Sequence, residues 1–135
     1  MNNFCFVRYE HLNQHNNLFG GQMLSWVDEH AWLTAARDFP GYKLVTRGMD
    51  KISFEKAVPN GSILRFHVLP CQQGNSSITY SVDVYAESPD KPEAGESLVF
   101  ATKVTFVSVT DDGHKNALPK KEKLRSQREE YISQL

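Results

Sequence analysis

The sequence predicts an α+β domain that combines a five-stranded antiparallel sheet with one long apolar helix. Three observations carry this expectation. The stretch from Gly20 to Arg37 has the composition of a helix, and its apolar residues cover most of its circumference. Segments downstream of it alternate apolar and polar residues with period two and are rich in aromatic and β-branched side chains. Clusters of Gly, Asn, Asp and Pro separate those segments at turn-like spacing.

The elements follow in order. Phe4 to Tyr9 is a short first strand. The helix opens at the pair Gly20-Gly21 and closes near Phe39-Pro40-Gly41, with Met23, Leu24, Trp26, Val27, Ala31, Trp32, Leu33, Ala35 and Ala36 as its apolar surface. Leu44 to Val58 is a second extended segment, ended by Pro59-Asn60-Gly61. In Ile63 to Leu69, the residues Leu64, Phe66 and Val68 alternate with Arg65 and His67. From Ile78 to Ala86, Tyr80, Val82 and Val84 share one face. Between Leu98 and Val109, Leu98, Phe100, Val104 and Phe106 are expected on the inner face. The runs at 72–75 and 88–95 read as hairpin loops, and Asp111-Asp112-Gly113 ends the last strand. A helix this apolar needs a sheet curled about it or a second subunit over it. Residues 1–119 are expected to form a single domain. Residues 120–135, with five basic residues followed by Glu129 and Glu130, are expected to be a solvated helix or frayed tail.

Composition narrows the function classes. A chain of 135 residues fits one core. Its formal net charge of -1 implies no general attraction to nucleic acid or membrane. No apolar run is long enough to span a bilayer, and the N-terminus lacks the basic start and apolar stretch of a signal peptide. Cys5 and Cys71 cannot make a disulfide framework and lack metal-ligand spacing. Both read as small packing residues, and a reducing, cytoplasmic setting is expected. His11, His15 and His30 match no ligand pattern, so no metal is expected.

The chemistry concentrates around the helix. Asp28 lies one turn from Leu24 and one turn from Trp32, where loss of hydration favours a protonated carboxyl, and such groups are seldom carried without a use. A narrow polar stripe with Ser25 and Glu29 is the structural alternative. Ahead of the helix, the polar run from His11 to Asn17 leads into Gly20-Gly21, where free N–H groups at a helix start suit a carbonyl oxygen that gains charge. Asp28 lies two turns further on, on the order of 10 Å along the axis. One helix cannot offer both its first amides and its own Asp28 to one reacting atom, so a site shared between two subunits is favoured.

These residues resemble a known family. Asn13, Phe19-Gly20-Gly21 and Asp28-Glu29 resemble the N-x-x-G-x-x-F-G-G-x-x-x-x-x-x-D-E signature of hotdog-fold acyl-CoA thioesterases of the acyl-CoA hydrolase branch. Val45-Thr46, the run from Phe54 to Gly61, Gly74-Asn75-Ser76-Ser77, and the ending from Phe106 to Pro119 resemble its later motifs in order. The likeness runs from about Tyr9 to Pro119. It implies a central helix wrapped by the sheet, and homodimers that often assemble further into tetramers or hexamers.

It also implies hydrolysis of acyl-CoA to a carboxylic acid and CoA, with CoA as part of the substrate and no separate cofactor. Asp28 is then the catalytic acid, as general base or nucleophile, and Asn13 its partner from the opposite subunit. Backbone N–H groups of Gly20, Gly21 and Gln22 bind the thioester oxygen. Thr46, Lys56, Ser76 and Ser77 are the implied CoA contacts, with Arg47 and Lys103 as nearby cations. The acyl chain is expected in the apolar gap between subunit helices. The chain departs from the pattern at Asn16 for Gly, Ala57 for Pro, Ser62 for Asp and Gln73 for Lys. A hotdog dehydratase would want a histidine in an H-F-P-like loop, which is absent. An acyl-CoA sensor without catalysis would usually lose the acid or add a DNA-binding domain, and neither is seen in this sequence.

Overall fold

The computed structural model describes residues 2–135. Strand β1 (Asn2–Phe6) and a 3-10 turn at Tyr9–His11 lead to helix α1 (Gly20–Asp38). Strands β2 (Lys43–Phe54), β3 (Ile63–Gln73), β4 (Ser77–Glu87) and β5 (Ser97–Val109) follow, and helix α2 (Arg125–Ser133) comes last. The five strands form one antiparallel sheet in the order β1-β3-β4-β5-β2.

Helix α1 buries Met23, Val27, His30, Ala31, Thr34, Ala35 and Asp38, spaced three and four residues apart along one stripe. That stripe faces the inner side of the sheet, where Leu64, Phe66, Val68, Tyr80, Val82, Phe100, Val104 and Phe106 are inaccessible to solvent. Each large apolar side chain buried there contributes roughly 1.5–3 kcal/mol. Truncating Phe66, which also meets the rings of Trp26 and His30, would cost roughly 3–5 kcal/mol.

The structure corrects several boundaries. The chain leaves β1 at Phe6, and Tyr9 belongs to the turn that follows. Strand β2 ends at Phe54, because the N–H groups of Glu55 and Lys56 both donate to the Val99 carbonyl and turn the chain away from the ladder. Strand β3 runs on through Pro70 with a register shift before Gln72, beyond the residues that β1 pairs with. Leu98 is exposed, not inward: the register shift opposite Val84 and Tyr85 puts Val99 and Phe100 in the core together.

Helix α1 is also less enclosed than its composition suggests. Trp32 and Leu33 are exposed, and Leu24 and Trp26 are only partly covered. One stripe meets the sheet and the opposite apolar face is open, so Asp28 is half-buried rather than enclosed. Cys71, expected to pack inside, is exposed.

The tail is docked rather than solvated. Leu124 and Ser126 are buried. The first turn of α2 is capped from another element: Asp38 Oδ1 accepts the Ser126 N–H at 2.8 Å, and Oδ2 accepts the Ser126 hydroxyl at 2.6 Å. Tyr80 donates to the same Oδ2 at 2.7 Å. A carboxylate is favoured at the positive end of α2, and three donors offset its burial. Burial, then the adjacent Asp38 charge, drives the Tyr80 hydroxyl pKa far upward. Further along α2, Glu129 pairs with Arg37 at 2.6 Å and Glu130 with His67 at 3.0 Å. Among the described residues no helix is long and apolar enough to cross a membrane.

Candidate active site

The loop before α1 is shaped by Asn13. Its Oδ1 accepts the N–H groups of His15 at 2.9 Å and Asn17 at 3.2 Å. Asn16 takes the left-handed conformation, with φ of 63°, which asparagine tolerates better than most residues. The loop is fastened to the β2–β3 connection by Leu18 N–H on the Val58 carbonyl and by bridging between Asn17 and Pro59.

At the start of α1, the Phe19 carbonyl accepts the N–H groups of both Gln22 and Met23. Gln22 is therefore already engaged. The N–H groups of Gly20 and Gly21 donate to no carbonyl or side chain among the described residues, as expected for the first turn of a helix. Neither glycine has a positive φ, so the pair is there for room rather than backbone freedom. A Cβ on Gly21 would come within 2.7 Å of the Phe19 ring, and one on Gly20 would meet the Phe54 ring at 3.6 Å.

Beside these amides lies an open cavity of about 400 Å³. Asn13, His15 and Lys56 contribute polar groups, while Leu18, Met23 and Phe54 are among its apolar walls. Asp28 is not part of it. The carboxylate lies two turns further along α1, roughly 10 Å from the glycines, where Oδ1 accepts the Thr46 hydroxyl at 2.7 Å. Strand β2 shifts register between Thr46 and Gly48, at the point of this contact. Thr46, expected as a CoA contact, is thus engaged with the carboxylate.

The implied CoA contacts are dispersed. Lys56 is at the glycine cavity. Ser76 and Ser77 lie at the other end of the sheet, paired with the end of β5. Ser77 shares a second, polar cavity of about 420 Å³ with Arg47, Gln72 and Thr79. Lys103 is opposite Asp50 in the β2–β5 ladder. Gln73 donates its amide to the Pro119 carbonyl.

A pair the sequence did not reveal lies under β1. Cys5 Sγ is 3.2 Å from His30 Nε2, and His30 Nδ1 is buried with no partner among the described residues. Burial raises the Cys5 pKa, helped by Glu29, and lowers that of His30, which Glu29 partly opposes. Both groups are therefore held neutral. Nothing in the sequence joins residues 25 positions apart. His11 and His15 lie elsewhere: His11 Nδ1 accepts the Arg8 N–H, and His15 is at the glycine cavity. The Asp38 cap was legible in principle, since Asp38 continues the buried stripe four residues beyond Thr34.

A model of the thioesterase superfamily matches residues 15–93, more than half of the chain. The chain belongs to the thioesterase superfamily. This member is 31% identical over 109 residues to an uncharacterized acyl-CoA thioester hydrolase of Bacillus subtilis, YkhA, and spans 80% of its own length but only 61% of that relative's. The fold is the hotdog fold: a hexameric hotdog fold thioesterase of Campylobacter jejuni superposes with a TM-score of 0.76 at 33% identity, over 87% of this chain and 88% of that one. An acyl-CoA hydrolase of Staphylococcus aureus, solved with butyryl-CoA, CoA and CoA disulfide, superposes with a TM-score of 0.79 at 26% identity, over 88% and 71% of the two chains. That hydrolase has also been solved with one asparagine, one aspartate or one threonine replaced by alanine. They occur in that order, the first two fifteen residues apart.

Proposed function

We propose that this superfamily member is an acyl-CoA thioesterase, cleaving acyl-CoA to a free carboxylic acid and CoA. The observation that carries the reading is the pairing of Thr46 with Asp28 on the helix whose first amides, Gly20 and Gly21, are unpartnered beside Asn13. Asn13, Asp28 and Thr46 have the order of the three residues altered in the Staphylococcus aureus hydrolase, and Asn13 precedes Asp28 by the same interval.

The thioester carbonyl accepts hydrogen bonds from Gly20 and Gly21, where the developing oxyanion is stabilised by aligned N–H groups. Thr46 fixes Asp28 Oδ1 and leaves Oδ2 for the reaction. Oδ2 takes a proton from water as the water oxygen attacks the carbonyl carbon. The tetrahedral intermediate then collapses, the C–S bond breaks, and CoA leaves as a thiolate that recovers a proton. Direct attack by the same oxygen, through a mixed anhydride that water then opens, uses the same groups. No metal or separate cofactor enters either route.

Because one helix separates Gly20 from Asp28 by about two turns, a complete site takes Asn13 and the glycine amides from one subunit and Asp28 from another. The open face of α1, with Trp32 and Leu33, and the exposed Val45 and Ile52 of β2 suit such an interface. A homodimer is the smallest unit, and the hexameric state of the Campylobacter jejuni protein makes a trimer of dimers the natural larger assembly. Lys56, at the glycine cavity, is the cation best placed for CoA phosphate, while Ser76 and Ser77 join a site only from another copy. The setting is cytoplasmic, with neither nucleic acid nor membrane as a partner. A panel of acyl-CoA substrates assayed for free thiol tests the reading. Release expected from the wild type should fall by roughly two or more decades in Asp28→Ala. Wild-type protein that frees no thiol from any chain length would overturn it.

A further inference from the structure

We propose that Phe54 is the residue that sets acyl-chain length, by forming the outer apolar wall of the acyl pocket beside Gly20. The inference rests on the acyl-CoA thioesterase reading.

The cavity beside Gly20 is lined on its apolar side by Leu18, Met23, Val58 and Val99, all buried and held by the core. Phe54 is different. It is 56% exposed, although it lines the same cavity. Its ring lies over Gly20 and meets Phe100 edge-on, with centroids 4.9 Å apart. The backbone explains the placement. After Phe54 the chain turns off the ladder, with two successive amides on the Val99 carbonyl, and opens a gap between the end of β2 and the start of α1.

A thioester whose oxygen sits on the Gly20 and Gly21 amides has two substituents to place. The CoA side carries phosphates and needs solvent and cations. The acyl side gains from leaving water, at about fourfold in binding per methylene. The apolar space beside Gly20 is this cavity, and its polar lining at Lys56 and Asn13 suits the CoA side. Phe54 is the half-exposed apolar wall, so a change there alters the pocket without opening the core.

The test is kcat/KM of wild-type protein, Phe54→Ala and Phe54→Trp over saturated acyl-CoA substrates of increasing length, with folding checked by circular dichroism. Wild type should gain up to about fourfold per added methylene until the chain fills the pocket, then level off. In Phe54→Ala the break should move to longer chains, with the gain confined to those substrates. In Phe54→Trp it should move to shorter ones. Variants that hydrolyse all lengths with the wild-type break point, or lose activity by the same factor at every length, overturn the assignment while leaving thioester hydrolysis standing. A wild type that frees no thiol at all overturns the underlying reading, and this inference with it.

Discussion

Thr46 donates to Asp28 across 2.7 Å, from an edge strand to the middle of the central helix. The two residues are 18 positions apart, and a register shift in β2 lies directly after the threonine. The contact orients one carboxylate oxygen and leaves the other unengaged among the described residues. Two substitutions separate the roles of the pair.

Asp28→Asn keeps the shape of the side chain and can still accept from Thr46, but it removes the base. It should retain the melting temperature within a few degrees and lower kcat by roughly two or more decades. Near wild-type turnover on every active acyl-CoA would remove Asp28 from the chemistry.

Thr46→Val deletes the hydroxyl and keeps the branched shape. Losing a hydrogen bond to a charged group should reduce kcat roughly tenfold to a hundredfold, with KM little changed. A rise in KM at constant kcat would instead make Thr46 a CoA contact, as the family resemblance first implied.

The division of the site between copies predicts complementation. Asn13→Ala and Asp28→Ala subunits, each inactive alone, should recover up to roughly a quarter of wild-type activity once unfolded together and refolded, since about half of the random pairs contain one intact site. Sedimentation showing a fully active monomer at assay concentration would contradict the shared site.

Asp38 governs stability rather than turnover. It is 1% exposed and joins α1, β4 and α2 through Tyr80 and Ser126. Asp38→Ala leaves those donors buried without an acceptor, at a cost of about 3 kcal/mol, which is on the order of 10 °C in Tm. Tyr80→Phe should cost less, roughly 1 kcal/mol. Urea denaturation measures both, and an unshifted midpoint in Asp38→Ala would show that α2 is not held by this cap.

His30 gives the protein an acid limit. Burial holds its pKa below the ordinary 6.5, with Glu29 pulling weakly the other way. The unfolded chain therefore takes up the proton first. The stability contributed by the neutral ring is complete above about pH 6.5 and is lost as the pH falls from there toward the folded-state value. Denaturation midpoints should drop as the pH falls below about 6.5, and His30→Gln should flatten that part of the profile. An identical slope in the variant would assign the acid limb to other groups.

Much of this molecule was decided by local pattern. Period two in Ile63–Leu69 and Ile78–Ala86 identified which residues face inward, because a strand has only two sides and one of them meets the core. The left-handed turn at Asn16 and the helix start at Gly20 follow from what single residues permit. The spacing of Asn13, Gly20-Gly21 and Asp28 carried the family likeness, and the distance along one helix argued for a second subunit. Tertiary structure alone decided what depends on meetings between distant segments. It set Thr46 against Asp28, Cys5 against His30, and Asp38 under the first turn of α2. It placed Leu98 outside, since a bulge is a property of two strands in register and not of one. It also separated Ser76 and Ser77 from Lys56 by the length of the sheet, because residues that a motif sets in order are located in space only once the strands have paired.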